Sequence, residues 1–386
     1  MLYTFTKFLI RLGLIIFFRK ILFQDKQRLY EEGPLLLACN HPNSFLDALI
    51  IGSFFKHPVH FLARGDAFKN PLAKKILTAL KVIPIYRLKE GKEHLALNDT
   101  TFERCTEILT KGGIVLIFSE GLCINQWKLR PLKKGTARIA LNALKQSEIS
   151  AAFRILPVSL NYSSFTRFRK NVIIDFSQVI TQHEISIEKR DGEQIIELNK
   201  LIYSRLDKGL IIEENNNITP EFLLSNISFF TKDHQKLIQT LKVKQCFLKN
   251  DFDEYLARLS GTKKVASGIP SLIISLLLIP LLFIPALVGL LVHLPLYIPL
   301  NNFIKNKTEG TVFYHSTLFG ALIISYPFYV FIISLTLTMA FNNLVFFLCL
   351  LMLPFLAFIF LFWKDCFESV INYCRLPASI RKGLED

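Results

Sequence analysis

Two stretches of this chain contain no Asp, Glu, Lys or Arg: the 40 residues from Val265 to Ile304 and the 54 from Gly310 to Trp363. About 20 consecutive apolar residues suffice to cross the hydrocarbon core of a bilayer. Runs this long predict an integral membrane protein with an all-α membrane region of two to four segments over 265–365 and a cytoplasmic tail over 366–386. Lys263/Lys264, Lys305/Lys307 and Lys364 flank the two blocks, and positive residues stay on the cytoplasmic side, so each block should leave and return there. The second block divides at Asn342-Asn343 into spans near 321–341 and 344–363. Halving the first, Ile269 to Leu300, gives segments of about sixteen residues, interrupted by Pro270, Pro280, Pro285, Pro295 and Pro299. Segments that short predict a re-entrant hairpin.

The charge is as uneven as the hydropathy. From Val265 onward six Lys/Arg face five Asp/Glu, so almost all of the net charge of +15 lies on the first 264 residues. A basic domain held at a bilayer has natural partners in anionic headgroups or phosphorylated substrates. No nucleic-acid motif occurs, and the hydrophobic tail argues against nucleic acid as a partner. Residues 1–24 predict an amphipathic helix lying in the membrane interface rather than a signal peptide, because Arg11 interrupts the apolar run and no small-residue cleavage site follows. Its Phe5, Phe8, Leu12 and Ile16 are expected in the headgroup boundary, with Lys7 and Arg11 on anionic lipid. The seven cysteines (Cys39, Cys105, Cys123, Cys246, Cys349, Cys366 and Cys374) are odd in number and lack metal-like spacing, which predicts reduced thiols and no metal site.

Between the membrane-directed ends the pattern changes. "PLLLAC", "VHFLAR", "KVIPIYR", "GIVLIFSE", "RILPVSLNY" and "NVIIDFSQVI" read as strands, and Asp47–Phe55, Pro71–Leu80, Ala96–Lys111 and Lys134–Ser147 read as helices between them. This alternation predicts an α/β domain over 25–210, with a central mixed sheet flanked by helices. A charged helical linker over 211–264 then leads to the membrane region.

Chemistry-bearing residues gather where those strands end. "NHPNSFLD" places His41 just past one strand and Asp47 near the start of a helix. A histidine oriented by a carboxylate can take a proton from a hydroxyl at neutral pH. The competing reading is a turn histidine beside an N-capping aspartate. "LKVIPIYR" ends on Arg87, whose guanidinium suits a phosphate, although a lone arginine there is more often a surface residue. "IVLIFSEGLCINQWKLRPLKKG" carries Glu120 and Gly121 at a strand end, then Arg130, Lys133, Lys134 and Gly135 at the entry to a helix, a setting that favours anions. Pro157 in "ILPVSLNY" would close the same cluster.

Four motifs in this order resemble the glycerophospholipid acyltransferase family, over roughly residues 30–180. The resemblance implies that residues 25–210 are an acyltransferase domain, that His41 deprotonates an acceptor hydroxyl, and that Asp47 orients it. It implies acceptor contacts for Arg87, Glu120 and Gly121, and matches Lys133, Lys134 and Gly135 to a "KKG" found in many members. Acyl transfer from acyl-CoA or acyl carrier protein, without metal or other cofactor, to a lysophospholipid or glycerol phosphate follows. The first acceptor to consider is 1-acyl-glycerol-3-phosphate, with the catalytic domain facing the cytoplasm. Two departures bear on the acceptor. Five residues, not the common four, separate His41 from Asp47, a form similar to the branch that acylates glycerol-3-phosphate and dihydroxyacetone phosphate. The usual "EGTRS" is "EGLCI", so Cys123 stands where an arginine is expected and Arg130 is the candidate substitute. An amino-acid lipid as acceptor and a non-catalytic membrane scaffold are the remaining alternatives. A hydrolase would need a nucleophile elbow, and no GxSxG occurs.

Overall fold

The computed structural model describes residues 2–86, 97–146, 149–185, 190–210, 269–340 and 343–374. Arg87, the linker over 211–264, Asn342 and the last twelve residues of the tail lie outside them. By its contacts the chain divides into two compact units. The first comprises Met1–Arg11, Phe23–Asn161 and Ile173–Ile212, and the second Leu12–Leu22, Tyr162–Val172 and Glu213–Asp386.

An eight-stranded mixed sheet organises the amino-terminal half. Its strands are β1 (Phe18–Gln24), β2 (Leu35–Cys39), β3 (Val59–Arg64), β4 (Val82–Ile85), β5 (Ile114–Phe118), β6 (Arg154–Tyr162), β7 (Lys170–Phe176) and β8 (Ile180–Thr181). They lie in the order β1-β7-β6-β2-β5-β3-β4, with β8 antiparallel on β6. The pairs β2–β5, β2–β6, β3–β5 and β3–β4 are parallel. Strands buried on both faces need helices on each. These are α2 (Phe45–Phe54), α3 (Pro71–Ala79), α4 (Leu97–Thr110), α5 (Lys134–Leu144) and α6 (Asp191–Gly209). Alternation along β2 sends Leu36 and Ala38 into a core shared with Phe102, Leu109, Ile139, Ala140 and Ile202 of α4, α5 and α6, while Leu35 and Leu37 are buried on the other face.

The register positions the site. Cys39 of β2 pairs with Phe118 of β5 and Val158 of β6, so the segments that follow β2 and β5 leave the sheet side by side. Ligands of parallel sheets bind beyond these carboxyl ends of strands, where successive connections diverge.

The amino-terminal helix is shorter than expected, and its cations find other partners. It is helical over Leu2–Phe17 (α1), and 18–24 form β1, because the β-branched and aromatic residues there find a strand partner in β7. Within the first unit Lys7 donates to the carbonyls of Phe55 and Lys56, and the Arg11 guanidinium sits 4.7 Å over the Phe54 ring. Those cations are spent on protein and not on lipid. Phe5 and Phe8, at 62% and 65% exposure, are left outward.

In the second unit stand α7 (Ile269–Leu281), α8 (Phe283–Thr308), α9 (Tyr314–Ala340) and α10 (Asn343–Cys374). Three of these, over 283–308, 314–339 and 346–371, are long and apolar enough to cross a membrane. The first block does not divide into two sixteen-residue halves; its helices are Ile269–Leu281 and Phe283–Thr308. Leu282 N–H bonds Leu278 O and Ala286 N–H bonds Leu282 O, both at 2.9 Å, so helical bonding continues past the break and 283–308 is one 26-residue helix. Yet both ends of α8 meet the same end of the α9–α10 pair. The Trp363 and Phe283 rings lie 6.1 Å apart, tilted by 57°, and the Tyr314 hydroxyl donates to Asn301 Oδ1. Tyr314 and Trp363 share that end, because Phe17 packs on His315 while Arg19, two residues on, bonds Asp365 and Ser369. Midway, His293 Nε2 lies 3.2 Å from the Tyr326 hydroxyl, a dozen residues further along α9. Pro295 and Pro299 lie inside α8, and each removes a hydrogen bond that would keep the helix straight.

One carboxylate gathers the second unit's distant segments. Asp365 of α10, 9% exposed, pairs with Arg169, whose guanidinium also caps the carbonyls of Ile16 and Phe18 at 2.8 and 3.0 Å. Orphan carbonyls at the end of a helix are satisfied here by a charged donor.

Candidate active site

Asp47 lies in the first turn of α2 and is fully buried. Its Oδ2 accepts from His41 Nδ1 at 2.9 Å and from the backbone N–H of Asn43 at 2.8 Å. The five intervening residues make a tight loop in which Ser44 takes φ 53°, and α2 begins at Phe45. Asp47 is therefore not the N-cap. An ionised carboxylate accepts hydrogen bonds and cannot donate, which fixes the imidazole proton on Nδ1 and leaves Nε2 as a lone-pair acceptor. The ring is held from its face as well, stacked on Phe118 at 3.8 Å with 12° between planes. With its side chain 13% exposed, His41 is oriented, mostly enclosed and still reachable.

The segment after β5 supplies the second half of the site. Glu120 is 4% exposed and both its oxygens are engaged: Oε1 accepts from the His41 backbone N–H at 2.9 Å, and Oε2 from Arg130 Nε at 2.6 Å. Arg130 also donates to the carbonyl of Leu122. Gly121 has φ +69°, and a Cβ there would meet Lys133 Cγ at 2.9 Å, so this turn requires glycine. Ser119 N–H bonds Cys39 O at 2.9 Å, Lys133 N–H bonds Ser119 O at 2.8 Å, and Ile124 N–H bonds His41 O at 3.3 Å. Glu120 thus braces His41 and Arg130, an arrangement that differs from direct contact with an acceptor.

Cys123, in the expected arginine's place, accepts from the Ser44 N–H through its sulfur at 2.9 Å. Burial first, and then the Asp47 charge, push its thiol up to about 12, so it stays protonated and is no nucleophile. Burial likewise raises the Cys39 thiol well above its ordinary value.

Lys133 and Lys134 are exposed where α5 begins, Lys133 at its N-cap position without a side-chain cap bond. Gly135 is the second residue of α5, where an added Cβ would make ordinary contacts with Ile117 and Phe102 at 3.6 and 3.8 Å. Pro157 lies inside β6, opposite Ala38, with its carbonyl taken by Ser177 N–H at 3.0 Å. It belongs to the sheet behind the site. Arg87 is outside the described residues.

Two side chains next to the dyad escaped sequence reasoning. Asn40 bonds both the N–H and the carbonyl of Leu160, at 2.8 and 3.1 Å, and so continues the β2–β6 ladder with a side chain. Asn43 is fully buried and neither its Oδ1 nor its Nδ2 finds a partner among the described residues. Both asparagines sit inside the quoted motif, but only their burial distinguishes them from ordinary turn residues. No group of three His, Cys, Asp or Glu able to hold a metal occurs among the described residues.

A family model described as Acyltransferase matches residues 20–161. Over 112 residues the chain is 30% identical to the chloroplastic 1-acyl-sn-glycerol-3-phosphate acyltransferase BAT2 of Brassica napus, a match covering 28% of this chain and 30% of that relative. The chain thus spans under a third of that relative's length. The crystal structure of the 1-acyl-sn-glycerophosphate acyltransferase PlsC from Thermotoga maritima is similar at 17% identity and a TM-score of 0.37, covering 52% of this chain and 74% of that one. Residues 20–161, which hold β2 to β5, most of β1 and β6, and the His41–Asp47 pair, are thus similar to acyltransferase domains.

Proposed function

We propose that this protein transfers a fatty acyl group from a thioester donor to the free hydroxyl of 1-acyl-glycerol-3-phosphate, with His41 as general base. The observation that carries the reading is the 2.9 Å bond between His41 Nδ1 and the fully buried Asp47. His41 Nε2 takes the proton as the acceptor oxygen attacks the thioester carbonyl. The tetrahedral oxyanion collapses, and the imidazolium returns the proton to the departing thiolate. Asp47 stabilises the imidazolium between those two transfers. General-base catalysis of this kind contributes ~10²–10⁴-fold. The similarity to BAT2, by name a 1-acyl-sn-glycerol-3-phosphate acyltransferase, and the basic entry to α5 support a phosphorylated glycerolipid as acceptor.

In this reading Arg130 holds the place of the missing arginine. Its Nε is committed to Glu120 and its Nη2 donates to the Leu122 carbonyl, which leaves Nη1 to meet an acceptor phosphate, with Lys133 and Lys134 at the entry to α5. Orientation follows from the same lysines that bound the membrane region. The Tyr314–Asn301 bond keeps Lys305 and Lys307 near the start of α9, at the end of the α9–α10 pair that also holds Lys364, which supports a cytoplasmic catalytic domain.

The test is a transfer assay with labelled acyl-CoA and, separately, labelled acyl carrier protein, against 1-acyl-glycerol-3-phosphate, glycerol-3-phosphate, dihydroxyacetone phosphate and a hydroxylated amino-acid lipid. Labelled product with the first acceptor is expected. Product with another acceptor alone would move the specificity, and none with any would remove the reading.

A further inference from the structure

Three large apolar side chains stand exposed on the segments that hold His41. Phe45, the first residue of α2, is 42% exposed; Leu122 and Ile124, in the segment after β5, are 42% and 36% exposed. Two bonds bring them together. The Ser44 N–H to Cys123 Sγ contact at 2.9 Å joins the segment to the residue before Phe45, and the Ile124 N–H to His41 O contact at 3.3 Å joins it to the histidine. Leu122 and Ile124 flank Cys123 within "EGLCI", the stretch that departs from the polar "EGTRS" of the resembled family. Behind this apolar edge stand the exposed cations Lys128, Lys133 and Lys134. An apolar tip backed by lysines is complementary to a bilayer surface: chains receive the tip and anionic headgroups receive the cations.

We infer that Phe45, Leu122 and Ile124 form a lip that inserts into the bilayer beside His41, so that the acceptor reaches the histidine from the lipid phase. The inference rests on the proposed transfer reaction for its consequence, and narrows the acceptor class to lipids that keep an acyl chain in the membrane. A water-soluble glycerol phosphate gains nothing from such a lip. The side chains of the lip touch no reacting atom; their task is to hold the opening against the lipid.

The full chain in vesicles of phosphatidylethanolamine and phosphatidylglycerol allows two measurements. A photoreactive benzophenone side chain replacing Leu122 should crosslink to phospholipid, while the same group replacing Glu107, exposed on α4, should not. Crosslinking no greater at 122 than at 107 overturns the inference, whatever the activity. Leu122→Ser combined with Ile124→Ser should cut transfer to a long-chain lysophospholipid in the vesicles by about tenfold or more, since each buried apolar side chain matters at that scale. Transfer to a short-chain, water-soluble acceptor should change by less than about twofold. An equal loss on both acceptors would mean the loop only shapes the site, and the lip is wrong. If the unmodified protein acylates no acceptor at all, the proposed reaction fails, while the crosslinking still decides whether the lip meets lipid.

Discussion

Asp47 in the first unit and Asp365 in the second are both nearly inaccessible carboxylates that gather several donors, yet they end in opposite kinds of group. Asp47 holds an imidazole by one nitrogen and leaves the other nitrogen to act. Asp365 holds the Arg169 guanidinium, whose other N–H groups are consumed by the carbonyls of Ile16 and Phe18. A buried charge pair stabilises little beyond its own desolvation, and becomes costly when one partner is removed. What separates a reactive site from a structural clasp is therefore not the carboxylate but the unspent valence of its partner.

The sharpest way to break this comparison is at the partners. His41→Ala should lower turnover by ~10²-fold or more with only a small shift in the thermal transition, because the ring packs on Phe118 at the carboxyl end of β5 and Asp47 keeps the Asn43 N–H as a donor. Turnover of the purified variant and its melting curve check both halves, and retention of a tenth of the activity would place the base elsewhere. Asp365→Asn should do the reverse: a loss of about 3–5 kcal/mol in the stability of the second unit, from a broken buried pair, with turnover per folded molecule kept. Detergent-solubilised protein followed by thermal denaturation gives the first number, and an active-site-normalised assay the second.

Smaller effects refine the picture inside the catalytic site. Arg130→Lys keeps the charge but loses the fork that serves Glu120, and should raise the Michaelis constant for a phosphorylated acceptor roughly tenfold, in line with ~1.5–3 kcal/mol for a charge-assisted bond. The constant for the acyl donor should move much less, and equal shifts would make Arg130 purely structural. Smallest is Gly135→Ala, where the new Cβ meets only ordinary contacts. It should stabilise by up to about 1 kcal/mol through helix propensity. Gly121→Ala, at φ +69° and with 2.9 Å to Lys133, should instead destabilise by ~1–2 kcal/mol.

Much of this was readable in the chain. The strand runs beginning at Leu35, Val59, Ile114 and Arg154 are so apolar that only a sheet covered on both faces can house them, and each forms as expected. His41 and Asp47 were legible as a pair because strand end and helix start leave them little freedom. The misses have physical causes. β1 was read as part of a helix, since Phe18–Gln24 carries the same mixture of apolar and basic residues as α1, and only the sheet edge decides between them. α6 was not read at all, because its exposed face is as polar as a loop and its buried face needs α5 to define it. The direction of Lys7 and Arg11 could not be seen from periodicity, which gives a face but not what covers it. The motif places Glu120 beside the acceptor by resemblance alone, and it cannot show the two partners that occupy its oxygens.

The pairing of Glu120 with Arg130 has one more consequence, electrical in kind. At 2.6 Å, and with side-chain exposures of 3% and 17%, the two charges cancel when viewed from a distance and leave a short dipole. A dipole's field decays faster than a monopole's, so in the proposed reaction this pair would act on an acceptor phosphate only at short range. The long-range pull on an approaching anion is left to Lys128, Lys133 and Lys134, which stand exposed and whose reach shrinks with the Debye length, about 10 Å at 0.1 M salt. Added salt should therefore slow the capture of an anionic acceptor without loosening the grip on one already bound.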